Sequence, residues 1–158
     1  MTLPAPVSPK VLHAGEGEYV TIGKGTICTF KVTGKETNGQ FGLFEYSMDP
    51  ATPGPAPHIH RNMTEIFYVV AGEVEFQVGV QKIIGRPGTL ALIPKETVHA
   101  FNNHRSQRSV LLIMFCPADS REKYFEGLAE LTKGERKPDK QELLDLMRRF
   151  DQEPVVEL

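Results

Sequence analysis

Apolar and polar residues alternate in a series of short segments between residues 19 and 116. Residues 26–33 (TICTFKVT) and 41–48 (FGLFEYSM) are rich in β-branched and aromatic side chains, with the turn formers Gly34, Asn38 and Gly39 between them. The same pattern predicts further strands at 56–60, 65–71, 73–78, 80–84, 89–93, 98–102 and 109–116. Many short strands at close spacing are typical of a β-sandwich or barrel. We therefore predict an all-β structure for residues 19–116.

A different pattern follows Cys116. Residues 117–158 contain 19 of the chain's 38 charged residues, and their apolar residues recur at helical spacing. We predict a helix over 121–133 with Ser120 as its N-cap, and a second over 139–150 that begins with the capping pair Asp139 and Glu142. The apolar stripe of the first helix consists of Tyr124, Phe125, Leu128 and Leu131. A segment of this length is too short for a core of its own, so we expect both helices to pack on the barrel.

The predicted organisation therefore has three parts. Residues 1–18 form an extended arm, because Pro4, Pro6 and Pro9 fit neither a helix nor a central strand. Residues 19–116 form the β-barrel. Residues 117–158 form the helical extension packed on it.

The composition is that of an ordinary globular protein, with 40% hydrophobic residues, 24% charged residues and a formal net charge of −2. There is no basic excess, so nucleic acid is not an expected partner. No apolar run reaches about 18 residues, which argues against a membrane span, and residues 1–10 lack the apolar core of a secretory signal. We expect a cytoplasmic protein. Cys28 and Cys116 both lie in apolar predicted strands, which favours two buried free thiols.

Three of the five histidines belong to one pattern of metal-binding residue types. His58, His60 and Glu65 read H-x-H-x4-E, and His99 follows 34 positions after the glutamate. On a strand, residues at i and i+2 share a face, and imidazole and carboxylate groups suit first-row divalent metals. A charge at Glu65, which opens an apolar strand, is costly unless it is paired or bound to metal. The pattern predicts a metal site inside a β structure.

The other two histidines, His13 and His104, lie near predicted loops outside this pattern, and we expect both at the surface. Two phenylalanines lie closer to the predicted site. Phe67 and Phe101 each follow a predicted ligand by two residues, so we expect them to share the inward face and line a substrate pocket.

Two stretches of the sequence resemble the paired motifs of the cupin superfamily. HIHRNMTEIFYVVAG (58–72) resembles the first, G-x5-H-x-H-x4-E-x6-G, and GTLALIPKETVHAFNN (88–103) resembles the second, G-x5-P-x-G-x2-H-x3-N. Together with the flanking strands, the resemblance covers residues 19–116. Two positions depart from the pattern: Thr52 replaces the leading glycine of the first motif, with Gly54 nearby, and Glu96 replaces the glycine of P-x-G. We expect a changed loop before His99 and no loss of a ligand.

The resemblance implies a double-stranded β-helix, or jelly roll, in a single cupin domain (Cupin_2 type) followed by a pair of helices. It implies one divalent transition metal ion, of Mn, Fe, Co, Ni, Cu or Zn, held by His58, His60, Glu65 and His99, and it implies a homodimer. The single domain with a helical tail is similar to the quercetinase-like monocupins. These cleave flavonols or comparable enolic aromatics with O2. In that case the substrate is a small hydrophobic or aromatic molecule, and Glu65 accepts its proton.

Two other functions remain compatible with these residues. A metal-dependent isomerase, epimerase or cyclase would use the same ligands to polarise a carbonyl, with Glu65 or a nearby group moving a proton. A non-catalytic module would bind a small molecule without turnover. The ligand pattern does not choose among the three, because fold alone does not determine function.

Overall fold

The structure is a computed structural model that describes residues 6–134 and 137–155. The strands are β1 (Glu18–Ile22), β2 (Thr26–Val32), β3 (Gly42–Met48), β4 (His58–Ile59), β5 (Thr64–Ala71), β6 (Val74–Val78), β7 (Gln81–Gly85), β8 (Leu90–Ile93), β9 (His99–Asn102), β10 (Ser109–Cys116) and β11 (Glu153–Pro154). The helices are α1 (Arg121–Leu131) and α2 (Lys140–Arg149), and Lys35–Thr37 form a short 3-10 turn.

The strands form two antiparallel sheets that enclose the core. One sheet has the order β1-β2-β3-β10-β5-β8 and the other has the order β11-β4-β9-β6-β7. This arrangement confirms the predicted jelly roll with two C-terminal helices. Each strand predicted between residues 26 and 116 is present, and its ends lie within two residues of the predicted ones.

Alternation along the central strands explains where the core lies. In β3 and β10 every second side chain is buried, including Phe44 and Met48 in the first strand and Ile113 and Phe115 in the second. Successive side chains of a strand point to opposite faces, so one face of each strand fills the barrel. Aromatic rings dominate this interior: the Phe44 and Phe115 centroids lie 5.9 Å apart.

The helix pair packs against the barrel through the predicted apolar stripe. Phe125 of α1 lies 4.9 Å, centroid to centroid, from Phe44 in the barrel core. Ser120 occupies the N-cap position of α1, but its side chain makes no capping hydrogen bond. Asp139 does cap α2, because its Oδ1 accepts from the backbone N–H of Gln141 at 2.8 Å and of Glu142 at 3.2 Å. None of the helices in the described ranges is long and apolar enough to cross a membrane.

After α2 the chain returns to the barrel and adds a strand that the sequence did not predict. β11 pairs with β4, with Glu153 opposite Ile59 and Pro154 opposite His58. The backbone N–H of Val155 donates to the carbonyl of Pro57 at 2.9 Å. The tail therefore lies directly beside the strand that begins the H-x-H motif.

The N-terminal arm has no helix or strand over residues 6–13. Lys10 forms an ion pair with Glu36 at 2.7 Å, and this contact joins the arm to the 3-10 turn. The expectation for residues 1–5 lies outside the described residues. The boundaries at residues 18 and 116 remain predictions.

The two cysteines differ in environment, so the expectation of two buried thiols is wrong for one of them. Cys28 is fully buried, and burial raises the pKa of its thiol. Cys116 is exposed. It is the last residue of β10, where the alternation that buries Phe115 turns the following side chain outward.

The turn before His99 accommodates Glu96 in a backbone conformation that favours glycine. Glu96 has φ = +62°, in the left-handed region, and its N–H donates to the carbonyl of His60 at 2.7 Å. The expected change in this loop therefore takes the form of backbone strain, which costs an L-residue about 1–2 kcal/mol.

Replacing Glu96 by glycine is expected to raise the free energy of unfolding by roughly 0.5–1 kcal/mol, because relief of strain exceeds the extra chain entropy of glycine. Urea denaturation measures the change. Glu96→Ala is the matched control, since it removes the carboxylate, which lies 3.7 Å from exposed Arg61, and keeps the strained φ. An equal gain in the alanine variant would attribute the effect to the carboxylate and contradict the explanation by strain.

Candidate metal centre

The structure brings the four residues of the predicted ligand set together. His58 begins β4, His60 follows that strand, Glu65 lies in β5 of the other sheet, and His99 begins β9. His58 and His99 are paired across neighbouring strands. All four side chains are buried, and their ligand-type atoms lie within 4.8 Å of one another.

Hydrogen bonds to the backbone fix the orientation of all three imidazoles. Nδ1 of His58 donates to the carbonyl of Ala56 at 2.8 Å, and Nδ1 of His99 donates to the carbonyl of Thr97 at 2.9 Å. Nδ1 of His60 donates to the carbonyl of Asp151. A carbonyl can only accept, so each Nδ1 carries the proton. The neutral ring therefore presents an unprotonated Nε2, which is the atom that binds a metal.

The spacing of the inward atoms fits ligands of one metal ion. Nε2 of His60 lies 2.9 Å and Nε2 of His99 lies 2.7 Å from Oε2 of Glu65. Two ligand atoms held at right angles, each at about 2.1 Å from an ion, lie about 3 Å apart. Without an ion, each of these contacts requires a proton on Nε2, because an unprotonated nitrogen and a carboxylate oxygen repel each other. An ion among the three atoms would take the place of those protons. The group fits a single metal ion, whose identity the ligand types do not decide.

Two members of the group, His58 and Glu65, are held in the charge state that a metal requires. Burial lowers the pKa of His58 to about 3, and the nearby imidazoles of His99 and His60 act in the same direction. Burial alone would raise the pKa of Glu65, but the hydrogen bonds from His60 and His99 hold it well below its usual range. Burial alone would lower the pKa of His99, but the same contact with Glu65 raises it. His58 is therefore neutral and Glu65 is ionised near pH 7.

A cavity of about 620 Å³ lies over this group, between the barrel and the helix pair. His58 and Glu65 contribute to its wall, together with the barrel residues Tyr46 and Phe115. The opposite wall is helical and largely apolar, and includes Leu128, Leu143 and Met147. The C-terminal extension thus covers one side of a space that the barrel alone would leave open at this end.

The two predicted pocket phenylalanines occupy different places. Phe101 lines the cavity. Phe67 faces inward as expected but is not among the described lining residues; its ring lies 5.2 Å from that of Phe101 and 5.4 Å from that of Phe76. Its contact with the site is through His99, whose ring lies 6.1 Å away. The alternation of the strand therefore predicts that Phe67 points into the barrel. It does not predict whether Phe67 reaches the cavity, and in the structure neighbouring aromatic rings surround it.

His13 and His104 are exposed, as expected. Nδ1 of His104 is 3.9 Å from a carboxylate oxygen of Glu75, at the protein surface. Neither residue belongs to the group of four.

Asp151, which sequence reasoning missed, connects the C-terminal tail to the ligand-bearing loop. Its carboxylate accepts from the backbone N–H groups of Arg61 at 3.0 Å, Asn62 at 2.8 Å and Met63 at 3.2 Å, and from the Asn62 side chain at 3.2 Å. Its carbonyl accepts from Nδ1 of His60. Asp151 thus orients one predicted ligand and fixes the loop that follows it. Nothing in the local sequence pattern marks this residue.

Arg121, also missed, is a buried cation in the cavity wall. It is 3% exposed, and its guanidinium carbon lies 3.9 Å from the ring centroid of Tyr124 and 4.4 Å from that of Phe115. Burial lowers its pKa, but arginine remains protonated near neutral pH. A signal was present in the sequence: Arg121 precedes Tyr124 by three and Phe125 by four residues, so it shares their helix face.

Comparison with known proteins identifies the fold family. Residues 44–115, which contain both motifs and all four candidate ligands, match the family model described as Cupin domain (Cupin_2). The chain therefore contains a cupin domain.

A curated relative of this cupin is the quercetin 2,3-dioxygenase of Bacillus subtilis (strain 168). The two are 31% identical over 99 residues, which are 63% of this chain and 29% of that protein. The cupin thus spans less than a third of the length of that relative.

Two solved structures have the same fold. A predicted oxalate decarboxylase from Thermotoga maritima gives a TM-score of 0.63 at 16% identity, covering 68% of this chain and 99% of the other. The polyketide cyclase RemF from Streptomyces resistomycificus gives a TM-score of 0.59 at 21% identity, covering 69% of this chain and 80% of the other. At these identities the similarity concerns the fold.

The first cupin motif departs from the pattern at Thr52, and the structure shows a close approach two residues later. The Cα of Gly54 lies so near the carbonyl oxygen of Phe101 that a Cβ there would come within 1.9 Å of it. The N–H of Gly54 donates to the side-chain oxygen of Asn102 at 2.9 Å. Gly54 therefore lets the loop that lines the cavity pack directly on β9, the strand that begins with His99.

Proposed function

We propose that this cupin is a metal-dependent dioxygenase that acts on a small, flat, hydrophobic or aromatic molecule with O2. The observation that carries the proposal is the position of the four candidate ligands, two of which, His58 and Glu65, line a partly open and mostly apolar cavity. A cavity of about 620 Å³ is in the range that accommodates a drug-sized molecule. The similarity to a quercetin 2,3-dioxygenase supports the same reaction class.

The residues of the chain have distinct roles in this proposal. His58, His60, His99 and Glu65 would hold one divalent metal ion, which would supply Lewis-acid chemistry for the oxidation. Apolar side chains such as Phe101 and Leu143 exclude water and pack against the substrate rings. Glu65 is the proposed proton acceptor, because it lies in the cavity wall beside the metal site.

Proton transfer to Glu65 requires a local change in its contacts. Both imidazole contacts use Oε2, and they favour the ionised carboxylate. No described residue bonds to Oε1, so that oxygen is the one available to a substrate hydroxyl. Proton uptake becomes favourable when Oε2 moves away from at least one of the two rings.

Oxygen uptake tests this function. The full chain, loaded in turn with Mn²⁺, Fe²⁺, Co²⁺, Ni²⁺, Cu²⁺ and Zn²⁺, is expected to consume O2 when quercetin is added, with at least one metal. Glu65→Gln, which keeps an oxygen at this position and cannot accept the proton in the same way, is expected to lose turnover. His104→Ala, at an exposed histidine outside the group, is the matched control and is expected to retain it.

Other outcomes of the same assay would replace the proposal. Conversion of a carbonyl substrate in the absence of O2 would identify an isomerase, epimerase or cyclase. Binding without turnover under every metal would identify a non-catalytic module. A homodimer and a cytoplasmic location remain predictions from the sequence.

A further inference from the structure

The cavity contains a buried cation that the proposed oxidation leaves without a role. Arg121 lies in the cavity wall and stacks on three aromatic rings, those of Phe115, Tyr124 and Phe125. Aromatic faces attract a cation but accept no strong hydrogen bond from it. The three ring contacts therefore leave the N–H groups of Arg121 without hydrogen-bond acceptors, which must come from other residues or from a ligand.

That capacity is only partly used. Nη1 donates to the carbonyl of Phe150 at 2.9 Å, and Nη2 donates to the side-chain oxygen of Gln152. The Nε–H is buried and has no partner in the described part of the chain. A guanidinium has five N–H donors, and buried donors without a partner are rare because each costs free energy. Arg121 therefore keeps one unused N–H donor, and its side chain forms part of the cavity wall.

The charge of Arg121 is also uncompensated at short range. Glu65 and Asp151 are close enough to affect it electrostatically. Within the described ranges neither carboxylate forms an ion pair with Arg121. The Glu65 carboxylate contacts His60 and His99, and the Asp151 carboxylate accepts hydrogen bonds from the backbone N–H groups of the 61–63 loop. A buried charge normally has a direct partner.

The other cationic residues of the mostly apolar cavity wall are two lysines. Lys24 and Lys140 are exposed lining residues, and Glu65 is the one carboxylate among the described lining residues. A cleft lined by one sign of charge concentrates ligands of the opposite sign. A divalent ion on the candidate ligands would add to this imbalance, because only Glu65 among them is negative.

We infer that the cavity binds a small organic anion, whose negatively charged oxygen is held by Arg121 while its flat apolar part lies against residues such as Phe101 and Met147. The anion is a carboxylate, enolate or phenolate, since these share the acceptor chemistry that a guanidinium recognises. The inference names the substrate class of the proposed oxygenase and in that respect rests on the proposed function. Binding itself requires no turnover.

Calorimetric titration of the full zinc-loaded chain with benzoate and benzamide tests the inference. The two probes have the same flat shape and differ in charge. Benzoate is expected to bind about 10- to 100-fold more tightly, the range for a hydrogen bond to a charged group. Arg121→Met is expected to reduce this preference at least about 10-fold. Arg149→Met, at an exposed arginine of α2, is the matched control and keeps the preference.

A second measurement needs no folded variant. The ¹⁵N-edited NMR signal of the Arg121 Nε–H in the wild-type chain is expected to move on titration with benzoate and to stay in place with benzamide. Three results would each overturn the anion site: equal affinity for both probes, an unchanged preference in folded Arg121→Met, or an Nε–H signal that does not move on addition of benzoate. Anion binding with no O2 uptake under any metal or substrate would overturn the proposed oxygenase and leave the anion site standing.

Discussion

Replacing His58 by alanine is expected to weaken binding of a divalent metal at least about 100-fold while the barrel still folds. His58 presents Nε2 to the group of four, and its Nδ1 is already engaged by the carbonyl of Ala56. Loss of a residue that merely orients a ligand costs about 10- to 100-fold in metal affinity, so loss of a ligand is expected to reach or exceed that range. Competition with a chelating dye measures the affinity, and circular dichroism checks the fold.

The same variant gives a thermodynamic readout. At a free metal concentration about 100 times the wild-type dissociation constant, binding adds about 2.7 kcal/mol to the free energy of unfolding. A variant whose dissociation constant is about 100 times higher gains only about 0.4 kcal/mol at that concentration. His104→Ala should behave as the wild type, because His104 is exposed and outside the group. Full stabilisation of His58→Ala by metal would show that the four residues do not form one site.

The grouping of the four candidate ligands could be predicted because its information is local in the sequence. The i, i+2 spacing of His58 and His60 and the apolar alternation after Glu65 follow from strand geometry, and the second motif supplies His99. The strands themselves could be predicted for the same reason, since burial alternates along β3 and β10 as the residue types do. Turn-forming residues between the strands allowed the strand ends to be predicted to within two residues of their observed positions.

The cavity could not be predicted, because its far wall comes from a segment remote in sequence. The helix pair was expected to pack on the barrel, but its amphipathic pattern does not say which opening it covers. Arg121 lies on the apolar stripe of α1 and was not recognised as a cavity residue, because its role depends on where that stripe docks. Phe67 shows the converse: alternation predicts that a side chain points inward, and the surrounding rings decide whether it reaches an open space.

The contact between the tail and the candidate metal centre is the clearest case of missing local information. Asp151 is about 90 positions from the 61–63 loop that it binds. Its backbone is left-handed (φ = +55°), but the position is not a glycine, so the sequence does not indicate this conformation. β11 was also missed, since two residues are too few to show a strand pattern. The position of His60 thus depends on a fold-level contact that no motif contains.

Replacing Asp151 by alanine is therefore expected to lower metal affinity about 10- to 100-fold, although Asp151 is not in the ligand set. Three backbone N–H groups of the 61–63 loop lose their acceptor, so the loop that follows His60 is no longer held. The carbonyl that orients the His60 ring belongs to the same residue and moves with the released tail. Dye competition measures the affinity, and Glu153→Gln is the matched control, because it weakens only the exposed ion pair with Arg61.

A second pair of variants separates the side chain of Asp151 from its backbone. Asp151→Gly fits the left-handed φ and removes the carboxylate, whereas Asp151→Asn tolerates that φ and keeps one acceptor oxygen. If the carboxylate holds the ligand loop, the glycine variant should lose as much metal affinity as the alanine variant, and the asparagine variant should lose less. Wild-type affinity in Asp151→Gly would contradict this and assign the orientation of His60 to the backbone carbonyl alone. In either case the order of the candidate metal centre depends on a docked C-terminal tail, because the Asp151 carboxylate and carbonyl both lie in the segment that follows α2.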